Sequence, residues 1–358
     1  MASISRYVRD YGNKTFFEEP FNEIDNVVFS SLIYLNYEGI VPENRKYIRL
    51  EEAGIKYLEK YSYFEISKLG IAQKVSYQLL KQVVNTVRYK DVLMYNFKYI
   101  ADSDRQFGAV CFKVKKNFTY VAFEGTDNLL SGWKEDFELS YKFPVPAQTL
   151  AIEYINKRVR FYDKNVMVGG HSKGGNLAMA AAMEANLFKR YQIDYVFNFD
   201  GPGFSKDLVD FKKLKKLEKK LLNYYPCESV VGMIFESLGK TKIIKSEAVK
   251  VYQHDIHSWL IKNNKFIEGE LSLSSKKVHQ KIDVLTKKYS KDEVKKFVNT
   301  FFFILYGAGY IYKSDLKKLS LEKMKNLLSE TRSLNEDERK LLFNVFKTMV
   351  ENTKEVNK

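Results

Sequence analysis

The sequence is poor in the residues that build cross-linked or metal-rich proteins. Among 358 residues there are only two cysteines, Cys111 and Cys227, too few for a disulfide framework or a cysteine-rich metal site. Six prolines argue against a long extended linker. The longest apolar run, residues 301–312, contains two glycines and is too short to cross a bilayer. The first ten residues have no apolar segment typical of a secretory signal, so we expect a soluble, cytoplasmic protein.

The positive charge is unevenly distributed along the chain. The net charge is +15, of which residues 1–200 carry +3 and residues 201–358 carry +12. Residues 206–220 contain seven lysines, with apolar residues every three or four positions, which predicts an amphipathic helix with a lysine face. Such lysine faces usually do no more than contact solvent. The more specific interpretation is that this face is weakly attracted to an anionic membrane surface. The segment has no arginine and accompanies no zinc-knuckle or helix-turn-helix pattern, which argues against nucleic acid as a partner.

Hydrophobic periodicity indicates three parts. Between about 108 and 252, short apolar strands alternate with helices, which predicts an α/β fold with a largely parallel sheet flanked by helices. Before this part the apolar spacing is helical, and after residue 273 the chain is expected to be wholly helical. We therefore predict an N-terminal helical segment packing on the core (residues 1–90), an α/β core (91–265) and an appended C-terminal helical region (266–358).

The chemically informative segment is a G-x-S-x-G pattern at residues 170–174, centred on Ser172. The pattern alone is weak, because a chain this long would contain one by chance at roughly a 10% level. Its setting is stronger, because it follows a β-branched strand and opens a helix. A tight strand-to-helix turn of this kind exposes the serine hydroxyl at a helix N-terminus, and the two glycines let strand and helix pass closely. A nucleotide-binding turn is the alternative, but neither G-x-G-x-x-G nor a Walker A pattern fits.

Further segments surround this pattern in a definite order. They are Phe-Glu-Gly-Thr at 123–126 with Trp133 and Asp136, Gly-His-Ser-Lys-Gly-Gly at 170–175, Phe-Asp-Gly-Pro-Gly at 199–203, and Gln-His-Asp at 253–255 with Trp259. With them the chain resembles the class 3 (fungal-type) lipases of the α/β-hydrolase superfamily, and more closely their bacterial relatives. The resemblance implies an α/β-hydrolase fold for the core and a serine hydrolase activity.

A serine nucleophile needs a base, and the chain has four histidines. His171 lies inside the motif, and we expect its side chain to point away from the nucleophile. His254 follows a strand predicted at 249–252, where a loop would return its imidazole to Ser172. The resemblance implies that His254 is the base, and His257 is the alternative.

Two carboxylates are candidates for the acid that orients the base. Asp200 follows a predicted strand at 195–199, and some lipases of the superfamily carry their acid there. Glu228 follows the next strand, at 221–225, where class 3 lipases usually have an aspartate. Either carboxylate would hold the imidazole in the right tautomer and stabilise its charged form. We favour Asp200 and retain Glu228 as the alternative.

Donors for the developing oxyanion are expected at two places. Lys173, the residue after the nucleophile, should give its backbone N–H. The resemblance implies that Thr126 supplies the second donor, although Glu124 stands where the lipases commonly have an arginine. Residues 128–133 occupy the position of the lid of fungal lipases, and are expected to form either a mobile apolar flap or a loop anchored by a buried Trp133.

These observations predict a lipase-like serine hydrolase that cleaves carboxylic esters, with small-molecule and lipid esters as candidate substrates, and that needs no cofactor or metal. The alternative is a catalytically silent α/β-hydrolase fold that binds a lipid, an anionic membrane surface or a protein partner, because fold alone does not determine function.

Overall fold

An eight-stranded sheet organises the molecule, which is described here by a computed structural model covering residues 3–102, 105–312, 315 and 320–354. The strands lie in the sheet in chain order, and they are β1 (Ile48–Arg49), β2 (Leu93–Ala101), β3 (Gln106–Lys115), β4 (Phe118–Phe123), β5 (Val166–His171), β6 (Ile193–Phe199), β7 (Leu221–Pro226) and β8 (Lys240–Ile244). Strands β4 to β8 are parallel to one another, whereas β1 to β4 pair antiparallel. A small hairpin, β9 (Ile261–Lys262) and β10 (Lys265–Phe266), lies beyond them.

Helices precede, connect and follow these strands. They are α1 (Ile4–Tyr11), α2 (Glu23–Leu32), α3 (Leu50–Lys60), α4 (Tyr63–Ser67), α5 (Ile71–Val83), α6 (Leu130–Glu138), α7 (Pro146–Arg158), α8 (Lys173–Glu184), α9 (Leu187–Gln192), α10 (Phe211–Leu217), α11 (Leu273–Lys288), α12 (Lys291–Gly307), α13 (Leu321–Ser333) and α14 (Glu336–Lys354). The predicted α/β fold, a largely parallel sheet flanked by helices, is confirmed. Among the described residues no helix is long and apolar enough to cross a membrane.

The sheet buries both of its faces, as a parallel sheet covered by helices must. Along β3, Ala109 and Cys111 belong to the apolar cluster on one face, and Val110 and Phe112 to the cluster on the other. Helices α7, α8 and α10 cover the first face, and α1, α2, α3 and α5 cover the second. Four alanines of α8 are fully buried, and their small side chains let this helix lie close to β5 and β6.

A buried ion pair ties the N-terminal helices together. The guanidinium of Arg88 contacts the carboxylate of Asp25 at 2.5 Å, with both side chains fully buried. The hydroxyl of Tyr89 donates to the same carboxylate at 2.6 Å. Asp25 also closes a capping box with Asn22 at the start of α2, so one carboxylate stabilises both a helix end and the packing between segments.

One local prediction was confirmed only in part, and another was wrong. The lysine-rich segment 206–220 forms a helix only over Phe211–Leu217, because Asp210 caps its start and β7 begins at Leu221. Residues 249–252 are not a strand. They enter a 3-10 helix, Lys250–His254, that follows β8 after a turn.

Candidate active site

Ser172 occupies the sharp turn between β5 and α8. Its backbone has φ 59° and ψ −132°, a left-handed conformation that a residue with a side chain adopts only under constraint. The constraint comes from the glycines on either side. A Cβ on Gly170 would clash with the backbone of Gly174, and one on Gly174 would clash with the carbonyl oxygen of Phe123. The strand, the turn and the helix therefore pass each other at backbone contact, as the sequence motif predicts.

The imidazole of His254 lies against the serine hydroxyl. Its Nε2 is 3.0 Å from Ser172 Oγ. His254 is the last residue of the 3-10 helix Lys250–His254, and the indole of Trp259 holds that turn by donating to the carbonyl oxygen of Gln253 at 2.8 Å. The two residues are 82 positions apart in the chain and meet at the carboxyl ends of the parallel strands.

Asp200 completes the contact chain from the other side of the imidazole. It directly follows β6, has φ 50°, and is fully buried. Its Oδ2 lies 2.7 Å from His254 Nδ1, while its Oδ1 accepts from the Ser229 hydroxyl and from the backbone N–H of Gly232. Because a carboxylate only accepts, Nδ1 carries the proton, and Nε2 is left to accept from the serine hydroxyl.

Glu228 points elsewhere. Its Oε2 accepts from the Gln253 side chain at 2.9 Å and from the backbone N–H of Lys250 at 2.7 Å. The Gln253 side chain in turn accepts from the backbone N–H of Glu228. Glu228 thus stabilises the 3-10 helix that carries His254. The carboxylate that contacts the imidazole is that of Asp200.

His171, inside the turn, contacts the backbone of His254 through its side chain. Its Nε2 lies 2.7 Å from the carbonyl oxygen of His254, and its Nδ1 lies 2.9 Å from the hydroxyl of Tyr34. Burial lowers the pKa of His171 well below its usual value, and the proximity of His254 lowers it further, so the ring is neutral. A carbonyl only accepts, so Nε2 donates to it and Nδ1 accepts from Tyr34. The alternative base, His257, contacts the Ser31 hydroxyl through Nε2 at 2.7 Å.

The two residues expected to hold the oxyanion flank Ser172 in one cavity. Lys173 is the first residue of α8, where backbone N–H groups have no partner within the helix. The hydroxyl of Thr126 donates to Asp136 Oδ2 at 2.7 Å, which fixes the loop after β4. The motif placed Lys173 and the resemblance placed Thr126 beside Ser172, but neither indicated the role of the Lys173 side chain.

That side chain is a buried anchor. Its ammonium donates to Glu135 Oε2 at 3.0 Å and to the backbone and side-chain oxygens of Gln106. Burial by itself lowers the pKa of Lys173, but the charges of Glu135 and Asp136 outweigh it and the net direction is upward. The lysine therefore stays charged and ties α8 to α6.

Glu124 is buried directly after β4, at the start of the loop that carries Thr126. Its Oε2 has no hydrogen-bond partner among the described residues. Burial raises the pKa of Glu124 well above its usual value, and the nearby Asp127 raises it further. The protonated form of this carboxyl is therefore favoured in the folded chain.

Within the segment expected to form a flap or a loop, residues 130–133 form the first turn of α6. Leu130 is fully buried in an apolar cluster whose other buried members come from the C-terminal region, between residues 297 and 345. The indole of Trp133 is half-buried and meets the rings of Phe301 and Phe302 edge-on, with centroids 6.3 and 6.0 Å away. The backbone N–H of Leu130 also donates to the carbonyl oxygen of Ile311 at 2.9 Å. The C-terminal region thus holds α6 in place beside Ser172.

The arrangement can activate a hydroxyl as a nucleophile. A buried carboxylate, an imidazole and a serine in a tight turn form a continuous chain of contacts. Within the described parts of the chain, no group of three or more histidine, cysteine, aspartate or glutamate side chains is placed to hold a metal ion. Sequence reasoning missed the Tyr34–His171 support because nothing in the local pattern around residue 34 indicates a contact 137 positions away.

Comparisons with known proteins place the chain in a family. The crystal structure of M37 lipase is similar at 13% sequence identity and a TM-score of 0.34, over 59% of this chain and 68% of that chain. No curated protein matches the chain in sequence. The model of the Mbeg1-like family matches residues 83–303, more than half of the chain. The chain belongs to the Mbeg1-like family.

Proposed function

We propose that the protein is a lipase-like serine hydrolase that cleaves carboxylic esters through an acyl-enzyme on Ser172. The observation that carries this proposal is the contact chain from Asp200 through His254 to Ser172, at 2.7 and 3.0 Å. These distances lie within the hydrogen-bond reach that proton transfer requires. The resemblance to the class 3 lipases and their bacterial relatives motivates the choice of a carboxylic ester as the substrate.

In the first half of the reaction, Ser172 Oγ attacks the ester carbonyl carbon while His254 Nε2 takes the hydroxyl proton. The carbonyl oxygen becomes an oxyanion, received by the backbone N–H of Lys173 and by the loop at Thr126. Asp200 stabilises the imidazolium through Nδ1–H. Collapse of the tetrahedral intermediate breaks the bond to the alcohol oxygen, and His254 gives that oxygen its proton.

In the second half, water takes the place of the alcohol. His254 removes a proton from the water as its oxygen attacks the acyl carbon of the Ser172 ester. The second tetrahedral intermediate collapses, the carboxylic acid leaves, and the imidazole returns the proton to Ser172 Oγ. This cycle uses only groups of the chain and water.

The test is hydrolysis of p-nitrophenyl esters by the full chain and by Ser172→Ala. We expect kcat/KM to fall by about 10⁴ or more in this variant, because the nucleophile is lost. The matched control is Ser329→Ala, an exposed serine of α13, which should leave activity unchanged. Equal rates for wild type and Ser172→Ala would contradict the proposal. An absence of turnover together with vesicle binding that is unaffected by Ser172→Ala would favour the silent, lipid-binding alternative.

A further inference from the structure

A cavity opens beside the candidate nucleophile. Its volume is about 710 Å³, and both Ser172 and His254 line it. This size falls in the range of pockets that bind small organic ligands. The cavity is therefore large enough to hold a substantial part of a substrate beyond the ester group itself.

The C-terminal helices build one wall of this cavity. Ile282 and Leu285 of α11 line it, as do Val294, Phe297 and Val298 of α12. Tyr289 also lines the cavity, and its hydroxyl is within hydrogen-bond distance of Thr348 Oγ1, at 2.9 Å. The wall is consequently apolar, and it comes from the part of the chain that carries none of the candidate catalytic residues.

The cavity has a polar end, at Ser172 and His254, and an apolar wall. This division indicates what kind of ligand it binds. Water gains few hydrogen bonds in an apolar cavity, so an apolar ligand is favoured there. An unbranched acyl chain has the same division, with an ester carbon at one end and methylene groups along the rest. We infer that this cavity binds the acyl chain of the ester, and that the C-terminal helices set the chain length that fits. This inference rests on the proposed function.

The cavity is preformed on the side of α6. Trp133 and Phe137 of α6 line it, and both rings pack edge-on or tilted against Phe301 and Phe302 of α12. A wall fixed in this way needs no ordering when a ligand binds, which preserves the free energy gained from apolar burial. Burial of each methylene group is worth about 0.8 kcal/mol, which corresponds to about fourfold in kcat/KM per methylene until the cavity is filled.

The chain-length profile of Leu285→Trp tests the inference. The larger indole would occupy cavity space and displace at least two methylene groups, so kcat/KM for dodecanoyl esters should fall by about tenfold or more. Acetyl and butyryl esters should change by less than about twofold, because they do not reach the wall. The matched control is Val284→Trp, which places the same ring on the neighbouring, 46% exposed position of α11 and should leave the profile unchanged. A wild-type rate that is independent of chain length, or an equal loss for all esters in Leu285→Trp, would overturn the inference.

A binding measurement separates this inference from the proposed function. Ser172→Ala removes the nucleophile and leaves the wall intact, so it should bind a fluorescent dodecanoyl ester, measured by anisotropy. Adding Leu285→Trp should weaken this binding by about tenfold, and adding Val284→Trp should not. Binding with this selectivity but without turnover by the wild type would retain the acyl-chain site and reject hydrolysis. Binding that is absent, or identical in the two double variants, would reject the acyl-chain site whatever the activity.

Discussion

His171 holds the backbone of His254 through a hydrogen bond of 2.7 Å from its Nε2 to the carbonyl oxygen. The residue immediately before the candidate nucleophile therefore positions the residue proposed as its base. The two rings lie with centroids 4.6 Å apart, and the hydroxyl of Tyr34 contacts Nδ1 of His171 on the far side. This contact links the turn at Ser172 to the distant 3-10 helix that carries the imidazole of His254.

Removing that donor should impair catalysis without abolishing it. In His171→Leu the carbonyl of His254 loses its partner, and we expect kcat to fall by about tenfold with little change in KM, because the base is misplaced while substrate binding remains. His171→Gln retains an N–H donor at a similar distance and should recover part of the loss. Steady-state kinetics on a p-nitrophenyl ester measures kcat and KM for both variants. Equal losses in the two variants would contradict a positioning role.

The two candidate acids should behave differently when neutralised. Asp200→Asn removes the charge that stabilises the imidazolium and favours the wrong tautomer, so kcat should fall by about 10⁴. Glu228→Gln keeps an acceptor for the turn and should lower kcat by less than about tenfold. The comparison of kcat for the two variants decides between them, and a larger loss in Glu228→Gln would assign the acid to Glu228 instead.

The buried pair of Lys173 and Glu135 should matter for stability. Lys173→Met leaves the Glu135 carboxylate buried without its cation, so the free energy of unfolding should fall by about 3–5 kcal/mol. Adding Glu135→Gln should restore part of it. Lys157→Met, which breaks an exposed pair with Glu153, should cost less than about 0.5 kcal/mol. Urea unfolding measures the free energy of unfolding of the three variants. Equal losses in Lys173→Met and Lys157→Met would refute the prediction.

Glu124 should make stability depend on pH. Its pKa is raised in the folded chain, so the unfolded chain loses this proton first as the pH rises. The carboxyl therefore costs no stability below the unfolded pKa of about 4.3, and an increasing amount above it, by up to about 1.4 kcal/mol per pH unit until the folded carboxyl ionises. Glu124→Gln removes this cost, so its stability relative to wild type should increase between pH 4 and pH 8 in urea titrations. A difference that stays constant with pH would show that the carboxyl is ionised in the folded chain.

The elements predicted best from the sequence are those with a local cause. The turn at Ser172 could be predicted because its glycines and the flanking strand and helix are contiguous in the sequence. Strand β2 and helix α6 were missed: β2 carries a register irregularity between Tyr95 and Lys98, and α6 begins without a side-chain cap. The position of His254 was expected from the resemblance, although the strand predicted before it is a 3-10 turn.

Contacts between distant segments could not be predicted. No periodicity indicates that Tyr34 reaches His171, or that Lys173 is neutralised by Glu135, because these pairs depend on how α2 and α6 pack on the sheet. The choice between Asp200 and Glu228 likewise depended on which carboxylate faces the imidazole. The apolar wall from α11 and α12 is a property of packing and not of any motif.

The central claim is that Ser172 is a nucleophile activated by His254 and Asp200, and covalent labelling tests it most directly. The full chain is treated with an alkyl fluorophosphonate, digested and analysed by mass spectrometry. We predict that one phosphonyl group is attached to the peptide containing Ser172, and that labelling is lost in Ser172→Ala and slowed strongly in Asp200→Asn. A chain that is folded yet unlabelled, or labelled equally in Ser172→Ala, would contradict the claim.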